Sequence, residues 1–240
     1  MRFTIILLLI SLAGTASAQE NSDSENFWGP SIEIGGSIGY MSLKNKPDWV
    51  AGNFRNGSAN IALRLYRGLA VQGGYQGSLN ENLSLKSLNY GNEVLENIEE
   101  SYFGAPWAGL RYEIPSTLLK SNQFRIHSLY IACGYHWTRF GVTASDMPIN
   151  AELETDQSIT KYHVAEMSGP YGVVAARWRF DSEFSKQADS WLGSFGVDAG
   201  LKYSLYTAAS PKYDTIEKPD PSFSSIQVFI TGFIKISLFQ

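Results

Sequence analysis

Residues 191–206 read WLGSFGVDAGLKYSLY. One face of this stretch carries Trp191, Gly193, Phe195, Val197, Ala199, Leu201, Tyr203 and Leu205, and the positions between them from 194 to 204 carry Ser194, Gly196, Asp198, Gly200, Lys202 and Ser204. Residues two apart point to the same side of a β-strand, whereas a helix brings residues three and four apart together. The stretch therefore predicts a strand with one apolar and one polar face. Residues 226–238 repeat the alternation at the other end of the chain, and residues 59–65 show it near the start.

The same pattern predicts eight strands. They lie near residues 31–43, 58–66, 69–78, 101–114, 123–137, 169–180, 190–206 and 222–239. The connections alternate between two kinds along the chain. Short ones span 67–68, 115–122 and 181–189, and long polar ones span 44–57, 79–100, 138–168 and 207–221. An up-and-down barrel has this arrangement, because successive connections lie at opposite ends and an even strand number closes the ring. The predicted fold class is an all-β, eight-stranded antiparallel up-and-down barrel.

The first 18 residues have the features of an export signal. Arg2 gives a basic start, residues 4–13 form a short apolar core, and the small residues 16–18 (ASA) suit a cleavage site. We expect residues 1–18 to be a signal peptide, 19–30 a short N-terminal segment, and 31–240 the barrel domain. No later run approaches the roughly 20 apolar residues of a membrane-spanning helix.

Composition excludes some classes of function. The chain has 22 Gly, 13 Tyr, 13 Phe and 6 Trp but only 18% charged residues, and its net charge of −4 offers no basic face for nucleic acid. Cys133 is the only cysteine, so an intramolecular disulfide cannot form.

These features together resemble the small outer-membrane β-barrel proteins of the OmpA/OmpX type. The resemblance rests on the ASA ending at 16–18, the segment GLRYEI at 109–114, and Phe239 next to the final Gln240, where many family members end in Phe itself. The signal ending and the turn at 67–69 (RGL) look most like the versions of Bacteroidetes. The resemblance implies a transmembrane barrel in a Gram-negative outer membrane, surrounded by lipids and lipopolysaccharide and assembled by the barrel-insertion machinery, with short periplasmic turns and long extracellular loops.

A water-soluble barrel would show the same alternation with the apolar face inside. Aromatic residues on the apolar faces indicate instead that these faces point outward. They are Tyr40, Tyr75, Tyr102, Trp137 and Tyr203 towards the long connections, and Tyr112, Phe180 and Trp191 towards the short ones. Two such girdles are typical of a surface in contact with lipid.

The polar faces would then line the barrel. They carry Glu33, Arg64, Arg111, Glu113, His136, Arg177, Arg179, Asp198, Lys202 and Lys235. Eight strands leave room only for side chains, so we expect an interior polar network that plugs the barrel. The alternative is a narrow, anion-selective constriction formed by the excess of basic groups.

Catalysis has few candidates. Outer-membrane enzymes of eight strands modify lipid A, and the residues suited to such a role are His127, His136 and His163, with Ser128, Ser158 or Asp156. They form no nucleophile elbow and no metal-spaced cluster, so we predict no catalytic, cofactor or metal site. Cys133 lies in an apolar strand phase, which predicts an inert thiol.

The long connections differ in charge, since 79–100 and 138–168 are mainly acidic and 44–57 is basic. Trp49, Phe54 and Tyr162 are interpreted as exposed apolar groups that could anchor a protein partner. The predicted function is a non-enzymatic barrel that is structural or binds surface ligands through its loops. A narrow channel, a barrel subunit of a secretion or uptake complex, and a lipid A-modifying enzyme are the alternatives.

Overall fold

The computed structural model describes residues 30–66, 68–90, 93–115, 126–145, 159–180, 192–208 and 222–237. These residues form nine strands: β1 (Ser31–Lys44), β2 (Asn53–Tyr66), β3 (Leu69–Ser78), β4 (Glu81–Tyr90), β5 (Glu93–Pro115), β6 (Ser128–Ser145), β7 (Ile159–Phe180), β8 (Leu192–Ala208) and β9 (Phe223–Ser237). Within the described part of the chain, no helix is long and apolar enough to span a membrane.

Eight of these strands form a closed antiparallel barrel. Each is hydrogen-bonded to its neighbours in the order β3-β2-β1-β9-β8-β7-β6-β5, and the ladder between β3 and β5 closes the ring. The ladder between β1 and β9 joins the two ends of the barrel sequence, with Ser31 opposite Ser237 and Lys44 opposite Ser224. The predicted eight-stranded up-and-down barrel is thus confirmed. We call the end near Gly68 the turn end and the opposite end the loop end.

β4 is the strand that lies outside the eight-stranded ring, and it corrects the prediction of a long polar loop at 79–100. β4 pairs with the first part of β5, so this segment is a hairpin that extends the sheet beyond the barrel at the loop end. Strict alternation does not reveal it, because Leu95 and Ile98 are three residues apart and both face inward. Asn97 between them has a φ of 53°, and the pairing of β5 with β6 shifts register between Ile98 and Glu100. This bulge lets both apolar side chains reach the same core.

The predicted loop at 138–168 is also partly strand. β6 continues to Ser145, and β7 begins at Ile159. The two are paired from Ser145 and Ile159 down to Ser128 and Arg177, with one register shift next to Phe140. The loop-end parts of β6 (138–145) and β7 (159–168), together with β4 and the loop-end part of β5, form a raised rim on one side of the barrel. We call this rim the projecting sheet.

Candidate functional site

The outer surface has an uncharged belt. On β2 the outward positions within residues 57–65 are uncharged, and so are those within residues 129–137 on β6. Each run is about nine residues long, which matches a tilted strand that crosses a hydrocarbon core. Charge returns at the loop end of both runs, with Arg55 on β2 and Arg139 on β6. Many large apolar side chains of the belt are exposed, among them Ile38, Ile61, Leu110, Val174, Leu201, Val228 and Ile230.

Aromatic side chains mark the upper part of the belt. Tyr40, Tyr75, Trp137 and Tyr203 are each about half exposed and point outward, whereas Tyr102 is partly buried. Tyr135, which the sequence analysis did not include, also points outward and contacts Trp137 edge to face at 5.3 Å. Towards the turn end Tyr112 is partly buried, while Trp191 and the side chain of Phe180 lie outside the described residues. The lower girdle therefore stays a prediction.

Inside the barrel, the half near the turn end holds a cluster of charged side chains. Glu33 on β1 accepts hydrogen bonds from Arg64 at 3.0 Å, from Arg111 at 2.6 Å, and from Arg177 at 3.0 Å. All four side chains are at most 3% exposed. One carboxylate is therefore shared by three guanidinium groups from three different strands.

Glu113 on β5 is the second carboxylate of this charge cluster. It pairs with Arg64 and lies 3.3 Å from Nη1 of Arg177 and 3.5 Å from Nη2 of Arg179. Arg64 and Arg177 contact Oε2, and Ser128 donates its hydroxyl at 2.5 Å to Oε1, the oxygen nearest Arg179. Because Arg64 and Arg177 contact both glutamates, the cluster crosslinks strands that are not neighbours in the wall.

Arg177 is the centre of the cluster. Besides both glutamates it binds Asp198, and its guanidinium stacks 4.0 Å from the ring centroid of Phe233 and 5.4 Å from that of Tyr130. Lys235 is buried directly opposite Glu33 in the ladder between β1 and β9. All of these predicted interior residues thus lie within the barrel, at the turn end.

The middle of the barrel contains neutral polar side chains and one lysine. Lys202 donates to Gln76 at 2.8 Å, Gln76 donates to Gln227 at 3.0 Å, and Gln227 donates to Asn56 at 2.9 Å. The ammonium group of Lys202 also lies over the rings of Trp107, at 5.7 Å, and Tyr171, at 4.9 Å. Sequence reasoning missed the amide chain, although Gln76 and Gln227 each occupy the polar phase of their strand.

A polar cavity of about 60 Å³ lies between this chain and the charge cluster. Its walls include Lys202 and Gln76 from the middle layer, Arg111 and Asp198 from the charge cluster, and the hydroxyl residues Ser37, Ser58 and Thr231. His136 stands nearer the loop end, where its ring nitrogens bond Thr138 Oγ1 at 2.8 Å and the carbonyl of Leu205 at 3.0 Å.

The loop end is closed by an apolar cap. Its buried members include Met41, Trp49, Val50, Phe54, Ile98, Phe103, Phe140, Val142, Met167, Tyr206 and Phe223. Phe54 contacts Phe103 edge to face with centroids 5.2 Å apart, and Tyr206 stacks on Phe223 at 4.8 Å. The barrel interior thus changes from charged to polar to apolar between the turn end and the loop end.

The cap corrects the interpretation of Trp49 and Phe54 as exposed anchors. Trp49 is 9% exposed and Phe54 is 0% exposed. The connection 45–52 folds over the mouth, where Leu43 N–H donates to Gly52 O at 2.8 Å and Ala51 N–H donates to Ser101 Oγ at 3.0 Å. The open end of the barrel gives these apolar rings a place where they are buried away from water, and this burial is favourable. Tyr162 is partly buried and packs against the same cap.

The three histidines that were catalytic candidates lie in different parts of the barrel. His136 lies inside the barrel, His127 lies near the turn end, and His163 contacts Tyr102 on the projecting sheet with centroids 6.2 Å apart. Cys133 is exposed on the outer wall, and Asp156 and Ser158 lie outside the described residues. In the described ranges, no group of three or more His, Cys, Asp or Glu could hold a metal ion.

No protein-family model matches the sequence, and no curated protein matches it either. Among solved structures, Neisserial surface protein A is similar at 11% identity and a TM-score of 0.45, over 88% of this chain and 97% of that chain. The N-terminal β-barrel domain of Pseudomonas aeruginosa OprF is similar at 10% identity and a TM-score of 0.41, over 86% and 98%. Outer membrane protein AlkL, studied in DMPC bilayers, is similar at 10% identity and a TM-score of 0.40, over 93% and 98%.

Proposed function

We propose that this chain is a closed, non-enzymatic β-barrel of a Gram-negative outer membrane. The observation that carries the proposal is the uncharged belt around a filled polar interior. In water the belt would expose Ile38, Val174, Leu201 and their neighbours as one continuous apolar band, far larger than the few hundred Å² that soluble monomers tolerate. In a bilayer the same band is buried in hydrocarbon, and every belt strand is paired on both sides.

The proposed orientation places the turn end in the periplasm and the loop end outside the cell. Residues 1–18 would direct export, 19–30 would precede the barrel in the periplasm, and barrel-insertion machinery would assemble it. We also propose that the barrel is of the type common in Bacteroidetes, and the sequence RGL at 67–69 supports this relationship.

The projecting sheet is the proposed contact surface. β5 has 23 residues and β7 has 22, whereas about 9 to 11 suffice to cross the hydrocarbon. The first charged outward groups above the belt are the ion pairs of Arg55 with Glu81 and of Arg139 with Glu166. They would lie at the level of lipopolysaccharide headgroups, where charged side chains are solvated. With Trp49 and Phe54 buried, a lipid or protein partner would contact outward groups such as Arg139 and Lys161.

The interior supports a closed barrel over a channel. The charge cluster fills the turn end, and the apolar cap fills the loop end, so ions would have to pass two separate obstructions. The distance between the three histidines supports a non-catalytic role over a lipid A-modifying one.

Three measurements test the proposal. Outer-membrane fractions from cells should contain the protein, and unboiled samples should migrate differently from boiled ones, because a closed ladder resists unfolding until heated. In planar bilayers the protein should give no large, steady conductance. Recovery in the soluble fraction with identical migration would contradict the membrane location, and a large steady current would favour the channel.

A further inference from the structure

The cavity between the charge cluster and the middle layer is lined by two cations, Lys202 and Arg111, and by one carboxylate, Asp198. A net charge inside the barrel is costly, because the belt is surrounded by a medium of low dielectric constant.

Lys202 is the clearest case. Its ammonium nitrogen donates to the neutral Gln76 and faces two aromatic rings, and no carboxylate of the described residues lies within ion-pair distance. Asp198 also borders the cavity, but both of its oxygens accept hydrogen bonds from Arg177, at 2.7 and 2.9 Å. Its negative charge is therefore already matched.

Arg111 on β5 lines the same cavity. It is 3% exposed, and its Nε has no hydrogen-bond partner among the described residues. In the same part of the chain it contacts one carboxylate, Glu33, which also binds Arg64 and Arg177. A second buried donor with incomplete charge compensation thus lines the space beside Lys202.

We propose that the cavity is a binding site for a small monovalent anion, chloride or a similar halide, held between Lys202 and Arg111. A water molecule needs about 10–15 Å³ of such space, so 60 Å³ accommodates a halide ion together with water. The hydroxyls of Ser37, Ser58 and Thr231 line the same cavity. Ser37 and Ser58 share one hydrogen bond at 2.6 Å, so one of these two hydroxyls and that of Thr231 can donate to the anion. Water alone would satisfy these donors but would leave the surplus charge in place.

The first test is a crystal of the protein grown in sodium bromide. We expect an anomalous bromide peak inside the barrel, within hydrogen-bond distance of Lys202 Nζ. Bromide peaks found only on the outer surface, or no peak at all, would overturn the proposal.

The second test is thermal unfolding of the folded barrel in detergent, at equal ionic strength in sodium chloride and in sodium gluconate, whose anion is too large for the cavity. A ligand that binds only the folded state raises its stability with concentration. We expect the unfolding midpoint to rise by several degrees in chloride for the unaltered protein and for Lys161→Met, a control on the exposed surface. The rise should disappear in Lys202→Met.

Equal midpoints in the two salts for the unaltered protein would contradict an anion site, and so would a chloride effect that Lys202→Met retains. If Lys202→Met does not fold, the bromide map and the two salts still decide the question with the unaltered chain. The anion site rests on the proposed membrane location but not on the closed state of the barrel, since a conducting barrel could hold the same anion.

Discussion

Arg177 and Asp198 lie directly opposite each other on β7 and β8, and the guanidinium donates Nε to Oδ1 at 2.7 Å and Nη2 to Oδ2 at 2.9 Å. Both residues are at most 2% exposed. The pair is bidentate, so its geometry is fixed as well as its charge. It ties the wall of the barrel to the charge cluster, because the remaining Nη1 of Arg177 reaches Glu33 and Glu113.

Arg177→Met should therefore cost about 3–5 kcal/mol of unfolding free energy, since it leaves buried carboxylates without their shared partner. Urea titration of the refolded barrel in detergent measures the change. The matched control is Arg139→Met, which breaks an ion pair whose side chains are 64% and 39% exposed and should cost less than about 1 kcal/mol. Equal costs for the two variants would contradict a buried cluster.

Val197→Arg tests the outer wall. Val197 lies on the outward face of β8, opposite Gly232 on β9 and Trp178 on β7. An arginine there should lower the stability in lipid by about 2–4 kcal/mol, because the charge meets hydrocarbon near the middle of the belt. Thr207→Arg, on the same face at the loop end, should cost about 0–1 kcal/mol. If position 197 accepts arginine as readily as position 207, lipid does not surround this face.

Gly109→Ala tests the packing of the middle layer. A Cβ at Gly109 would lie 2.3 Å from the carbonyl oxygen of Cys133 and 2.5 Å from the hydroxyl of Tyr171. We expect a loss of about 1–3 kcal/mol from overpacking, measured by urea unfolding. Gly172→Ala is the control, because a Cβ there meets nothing within 4 Å. A neutral effect at Gly109 would mean that Tyr171 is not held against this glycine.

The ion pair of Arg55 and Glu81 gives a pH dependence at the rim. Partial burial alone would raise the pKa of Glu81, but hydrogen bonds from the side chain and backbone N–H of Arg55 lower it below its usual value. A lowered folded-state pKa means that the pair stabilises the rim above the unfolded-state pKa and that this contribution is lost as the pH falls through the folded-state pKa. Carbon NMR titration of the Glu81 carboxyl should give a midpoint below about 4.3, the value of free glutamate. Arg55→Gln should raise the midpoint, and an unchanged midpoint would contradict the contact.

Alternation was sufficient to predict the barrel, because lipid or core on one side and polar side chains on the other impose a period of two on each strand. It also identified the polar phase that contains Glu33, Arg177 and Asp198. It could not predict which of these groups pair, because strands distant in sequence meet only when the ring closes. Arg177 and Glu33, for example, are separated by 144 positions.

The projecting sheet and the apolar cap could not be predicted from alternation, for a different physical reason. Leu95 and Ile98 face one core through a bulge, so their spacing of three residues does not fit a regular strand and is instead typical of a helix. Trp49 lies in a connection, where an apolar side chain is as compatible with partner binding as with folding back over the barrel mouth. Only the pairing of β4 with β5 and the fold of residues 45–52 distinguish these outcomes.

Cys133 allows the most direct test of a barrel with lipid outside and polar groups inside. It is the only cysteine of the chain, and it is exposed on the outer wall in the belt of β6. A nitroxide attached to it, with the protein reconstituted in lipid vesicles, reports its surroundings through collisions with oxygen, which partitions into lipid, or with a nickel chelate, which stays in water. We expect strong relaxation by oxygen and weak relaxation by the chelate. Strong relaxation by the chelate and weak relaxation by oxygen would contradict this expectation.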